Sequence, residues 1–226
     1  MLQNFFMKKL FKAIRNRNLE EVKQIIENKP ELVNCPAKQP PKKDDGQSPL
    51  QVALKTGNTE IAEYLLDRGA NVNFIEDESC CNAWRIPVIH DAINCAVMLS
   101  RWTTNDKLSG FVVHSEKEKA EKALHVLTRL IEEGADVNAV DSCGNSCLDR
   151  FGLQITPKWD FVNQCERDDI HIFTEELHQD LYKVLKVLKD AGANIEYIDP
   201  NTGTSVRKFY EDKGAVSVLF REVFDK

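Results

Sequence analysis

The stretch Glu60-Ile-Ala-Glu-Tyr-Leu-Leu-Asp-Arg-Gly-Ala-Asn-Val-Asn73 decides the fold, because the chain carries it again in altered form twice. The second copy is Leu124-His-Val-Leu-Thr-Arg-Leu-Ile-Glu-Glu-Gly-Ala-Asp-Val-Asn138, and the third is Leu181-Tyr-Lys-Val-Leu-Lys-Val-Leu-Lys-Asp-Ala-Gly-Ala-Asn-Ile-Glu196. Each opens as an amphipathic helix, with apolar residues such as Ile61, Leu65 and Leu66 or Leu127, Leu130 and Ile131 at helical spacing. Each helix stops at a glycine (Gly69, Gly134 or Gly192), which accepts the left-handed backbone that ends a helix and turns the chain. A small Ala, then Asn or Asp, then a β-branched residue (Val72, Val137 or Ile195) complete the unit. A recurring segment of this kind buries its apolar face only against its neighbours, so the sequence predicts a stack.

A second signature precedes the helix pairs, clearest in Asp45-Gly-Gln-Ser-Pro-Leu-Gln-Val-Ala53. Asp45-Gly46 makes a turn, and the Ser48 hydroxyl caps the next helix. Pro49 suits the first helical position, where its missing N–H has no intrahelical partner to lose. Leu50 and Ala53 face inward, and Gly57-Asn58 turns the chain into the second helix. With these residues in place the chain resembles the ankyrin repeat family. Ser48-Pro49-Leu50-Gln51-Val52-Ala53 stands where that family has Thr-Pro-Leu-His-x-Ala, and Gly69-Ala70-Asn71-Val72-Asn73 where it has Gly-Ala-Asp-Val-Asn. The resemblance implies an all-α solenoid of helix-turn-helix repeats with β-hairpin loops. It also implies that His90, at the motif's histidine position, bonds to backbone in the adjacent repeat.

Four repeats and a C-terminal cap are expected in a single domain spanning 1–226: about 6–36, 44–75, 88–138 and 142–196, then 202–226. The first pairs helices 10–16 and 19–28, and the cap pairs 206–212 and 215–224. From Pro49 to Gly69 is 20 residues, but Val88 to Gly134 is 46 and Cys147 to Gly192 is 45. The third and fourth repeats therefore hold inserts, at about 100–115 and 152–174, each between its two helices. In the first, the opening helix is expected to reach about Trp102, residues 103–114 to form a loop, and Ser115 to cap the second helix. In the fourth repeat Thr174 opens a second helix reaching about Asp190. Adjacent repeats share one orientation, so the two inserts should protrude from the same edge and touch.

The net charge is −6, yet residues 1–43 hold ten Lys/Arg against four Asp/Glu, so the rest carries −12. A basic front and an acidic body suit steering toward a charged partner. The basic surplus ends with the first repeat, so no nucleic-acid partner is expected. No run reaches the roughly 18 apolar residues that cross a bilayer, and Lys8 and Lys9 break the apolar start without a cleavage site after it. The expectation is a cytoplasmic monomer with no membrane partner. The seven cysteines, at 35, 80, 81, 95, 143, 147 and 165, are odd in number and irregularly spaced, and read as reduced thiols. Cys143 and Cys147 with Cys80-Cys81 and His171 or His178 lack zinc-ribbon spacing, and Cys147 at the motif's proline position reads as packing. Cys165 with His171 is the Cys–His pair within one insert, with nothing marking it as activated. No metal, no cofactor and no catalytic residue is assigned.

These readings lead to a non-enzymatic module that binds another protein through its hairpins and opening helices, extended by the insert edge. The expected contacts are Asp44, Asp45 and Gln47, then Glu76, Asp77, Trp84 and Arg85, then Asp141, Ser142 and Asn145, with Trp102 and Trp159 on the inserts. Trp84 and Arg85 are the expected anchors, since such side chains dominate binding energies. The divergent repeats and long inserts resemble stand-alone bacterial ankyrin proteins, a group that includes toxin-neutralising (immunity-type) and effector proteins. The rival class is an enzyme with its site in the inserts.

Overall fold

Every glycine-closed segment forms the second helix of a pair. The structure, a computed structural model, describes residues 2–38, 41–77, 84–106, 109–155 and 169–226. The pairs are α1 (Leu2–Arg15) with α2 (Leu19–Asn28), α3 (Pro49–Lys55) with α4 (Thr59–Asp67), and α5 (Val88–Leu99) with α6 (Lys117–Glu132). Then come α7 (Cys147–Ile155) with α8 (Glu175–Asp190), and α9 (Val206–Tyr210) with α10 (Gly214–Phe224). Opening helices pack on opening helices and second helices on second helices, in chain order, giving two layers. At the centre, α5 is apolar nearly all round, and Val88, Ile89, Ala92, Ile93, Ala96 and Val97 are buried, as a helix with neighbours on every side requires. The molecule is an all-α repeat stack, with one departure described below.

Local signals set the helix starts. Ser48 Oγ accepts from Gln51 N at 3.2 Å while Gln51 Oε1 accepts from Ser48 N at 3.1 Å, a reciprocal cap ahead of Pro49. Thr174 accepts from Leu177 N at 3.2 Å and opens α8 where expected. The closing glycines hold φ of +80°, +93° and +89° at Gly69, Gly134 and Gly192. Two expectations are corrected. Helix α1 begins at Leu2 rather than at residue 10, because Met7, Leu10, Phe11 and Ile14 extend one buried face toward the N-terminus. Ser115 does not cap α6: its hydroxyl donates to Leu99 O at 2.5 Å and ties the insert's return to the end of α5.

Between repeats runs a side-chain ladder. Asn34 Nδ2 donates to Gly69 O at 3.1 Å, and its Oδ1 accepts from Asn71 N at 2.7 Å. Asn73 does the same to Gly134 O and Asp136 N, at 2.9 and 2.8 Å, and Asn138 to Gly192 O and Asn194 N, at 3.1 and 3.0 Å. Each rung satisfies a carbonyl left open at a helix C-terminus and the amide of the turn beyond it. At the next such position stands Glu196, whose carboxylate instead accepts from Arg207 Nε at 2.6 Å.

The two inserts meet as a sheet. Strands β1 (Thr103–Asp106), β2 (Gly110–Val113) and β3 (Asp169–Ile172) are antiparallel in the order β2-β1-β3, with Thr103 opposite both Val113 and Ile172. Residues 103–106 and 110–113 are thus paired strands rather than loop, and Thr103, Thr104, Val112 and Val113 are the β-branched types that favour strands. Trp102 leads into it, buried, with Nε1 donating to Val97 O at 2.6 Å. Arg101 grips Asp180 of α8 with Nε and Nη2, at 2.9 and 2.8 Å. The opening helix of the fourth repeat runs to Ile155, past Gly152, the expected start of the insert. Gly152 is a notch inside α7, where an added Cβ would come within 2.2 Å of the Tyr210 ring.

Candidate partner-binding surface

The hairpin turns between repeats are welded into one row. Asp77 N donates to Gly46 O at 3.0 Å, linking the first two tips. Ser142 N donates to Arg85 O at 3.1 Å and Ser142 Oγ accepts from Arg85 N at 2.9 Å, linking the next. Asn201 Nδ2 donates to Cys143 O at 2.5 Å and Tyr197 OH to Gly144 O at 2.8 Å, linking the last. The row is therefore held by backbone contacts together with the Ser142, Tyr197 and Asn201 side chains.

Beneath it lies a buried polar layer. Arg15 pairs with Asp44, and Gln47 Nε2 donates to Glu76 Oε1. Glu76 Oε2 accepts from Ile86 N at 3.2 Å, and Gln51 Nε2 donates to Ile86 O at 2.8 Å and Asp91 Oδ2 at 3.0 Å. Further along, Asp141 accepts from Arg150 Nη2 at 2.7 Å and from Cys143 N at 2.9 Å, with Asn145 Nδ2 at 2.9 Å. Burial raises Glu76, against the bond from Gln47. For Asp141 burial also pushes upward, but the bonds from Asn145 and Cys143 and the Arg150 charge outweigh it and hold the carboxyl below its ordinary range. His90 Nε2 lies 3.1 Å from Ala139 O in the following hairpin, the adjacent-repeat backbone contact expected of it. Its pKa is pushed down to about 4, by burial first and Arg150 second, so the ring is neutral near pH 7.

The expected contact residues divide accordingly. Asp44, Asp45, Gln47, Glu76 and Asp141 are buried, so they brace the hairpins from within and do not face a partner. The same correction applies to Trp102, which seals the insert sheet. Asp77, Trp84, Arg85 and Ser142 are exposed and Asn145 is partly so. Trp159 falls outside the described residues, as do Cys80, Cys81 and Cys165. What the sequence reading missed is a set of exposed apolar residues at equivalent hairpin positions, Ile75, Val140 and Ile198, at 49%, 40% and 61% exposure, in addition to Trp84 at 50%. Their signal was available, since each stands two positions after a ladder residue (Asn73, Asn138) or its equivalent Glu196.

Burial governs three of the described thiols. Burial pushes the Cys35, Cys95 and Cys147 thiols up to about 12, which leaves them protonated and unreactive near neutral pH. Among the described residues no three His, Cys, Asp or Glu side chains are grouped to hold a metal ion. None of the described helices is long and apolar enough to cross a membrane.

A two-layer stack of helix pairs, tied by an asparagine ladder and fronted by linked hairpins, defines a helical repeat protein. Residues 6–99 match the family model for ankyrin repeats (3 copies), which supports reading that part of the chain as a run of ankyrin repeats. The match stops at the end of α5, where the first insert begins. No curated protein matches the sequence. Ankyrin repeats generally mediate protein–protein contacts and are typically not enzymes.

Proposed function

We propose that the chain is a non-enzymatic binding module, a cytoplasmic monomer built as one repeat unit, whose partner protein rests on the linked hairpin tips. The observation that carries this reading is the exposed set Ile75, Trp84, Val140 and Ile198 on a row of tips fixed by their own hydrogen bonds. A surface already ordered loses little freedom on binding, which favours affinity. Trp84 is the central anchor, with Arg85, Asp77 and Ser142 beside it as the polar contacts. The insert sheet, fixed by Trp102 and Arg101, follows the C-terminal end of α5 and so stands at the opposite end of the helices from this row, not on it as expected.

The test is capture of the partner from the native organism with the intact chain, compared with Trp84→Ala and Arg85→Ala variants of unchanged circular dichroism and melting temperature. Loss of Trp84 should weaken binding by about thirtyfold, the scale of a strong interface anchor. Capture at full affinity by both variants would remove the hairpin row from consideration as the binding surface.

A further inference from the structure

At the other end of the helices a groove of about 380 Å³ opens between the α1–α2 turn, the α3–α4 turn, the end of α5 and the start of α6. Arg17, His114, Lys119 and Lys122 line it, and among its described lining residues Glu60 is the carboxylate. The groove exists because of the insert: His114 and the α6 start reach this edge only once the insert has returned to Leu99.

Arg17 is the informative residue. The α1–α2 and α3–α4 turns are built alike, with Arg17 N on Ile14 O and Asn18 N on Ala13 O in one, and Gly57 N on Leu54 O and Asn58 N on Ala53 O in the other. Arg17 thus occupies a glycine position, and among the described residues it is the non-glycine with positive φ, at +56°. An L-residue there is strained where glycine would not be. Its side chain lines the groove, with Nη2 donating to Thr56 O at 3.1 Å and standing 3.9 Å from where a Cβ on Gly57 would be. That single bond engages one N–H of a planar fork of donors suited to phosphate oxygens. The lysines are held only by exposed partners: Lys122 by Glu118 at 3.1 Å and Glu60 at 3.5 Å, Lys119 by Glu116 at 3.8 Å. Such pairs contribute little and exchange readily for a stronger anion.

We propose that this groove binds a phosphoryl dianion, with Arg17 as the forked donor and Lys119 and Lys122 as the charges that close over it. The phosphoryl group belongs either to a free phosphate compound or to a phosphorylated side chain of a protein. The test titrates the full-length chain, labelled with ¹⁵N, with pyrophosphate and separately with a short phosphoserine peptide at fixed ionic strength. Saturable amide shifts confined to the Gly57–Glu60 turn and the α6 start are expected, with tighter binding of the peptide or of pyrophosphate identifying the source. Arg17→Gly should weaken binding about tenfold or more, while leaving the melting temperature unchanged or higher, because glycine relieves the turn. Lys122→Met should weaken it as well. No saturable shift with either probe, equal binding by Arg17→Gly, or shifts spread over the exposed lysines of α1 would each overturn the proposal.

Discussion

Asp91 sits buried on α5 and accepts from Gln51 Nε2 at 3.0 Å. Burial first, and the neighbouring Glu76 carboxylate second, push its pKa up to about 7. In the unfolded chain the same carboxyl ionises near pH 4. The stability present below that pH is therefore lost as pH rises toward 7, and the penalty is complete above it. Asp91→Asn keeps an oxygen for Gln51 and removes the charge. Melting curves should show the variant more stable than the parent near pH 8 by a few kcal/mol, with the gap closing toward pH 4. An equal difference at both pH values would mean that Asp91 ionises freely. His90 acts with the opposite sign, since its depressed pKa means stability lost as pH falls from about 6.5 to about 4; that loss is common to both chains and cancels in the comparison. At this scale the sequence was legible where a motif fixes a role, as for His90, Ser48 and Thr174. It misled at Asp44, Gln47, Glu76 and Asp141. Polar residues in turns look exposed in any local reading, and only the approach of adjacent hairpins buries them.

Gly152 shows what an element gains from a missing side chain. It lies inside α7, and Tyr210 from the cap fills the space above it, stacking in turn on Phe220 at a centroid distance of 5.3 Å. Gly152→Ala gains helix propensity of about 1 kcal/mol yet drives a methyl into the ring. The expected result is a net loss of about 1 to 3 kcal/mol, the cost of overpacking, read by urea unfolding; a stabilised variant would show that Tyr210 yields. Helix-end signals were legible because they are local: caps, glycines and apolar spacing. The sheet was not. Strands β1 and β3 come together from residues 103–106 and 169–172, and a pairing between short strands so far apart in the chain leaves almost no periodicity to read. The contact between inserts was nonetheless foreseeable from the repeat geometry alone.

Stability in the whole molecule is shared among neighbours, since no helix pair has a core of its own. The last helix pair packs on the stack through Phe220, buried and edge-on to Phe151 at 6.0 Å. Phe220→Ala should cost about 3 to 5 kcal/mol, and native-state hydrogen exchange should accelerate in α7 and α8 as well as in α10. Faster exchange confined to α10 would make the cap an appendage and not part of the cooperative unit. Phe224 is only partly buried, so its truncation should cost less. The ladder has a consequence for how such a chain lengthens. A copied repeat inserted after Asn73 or Asn138 would find an amide waiting to bond it. One added after Glu196 would meet a carboxylate with no hydrogen to donate, already committed to Arg207.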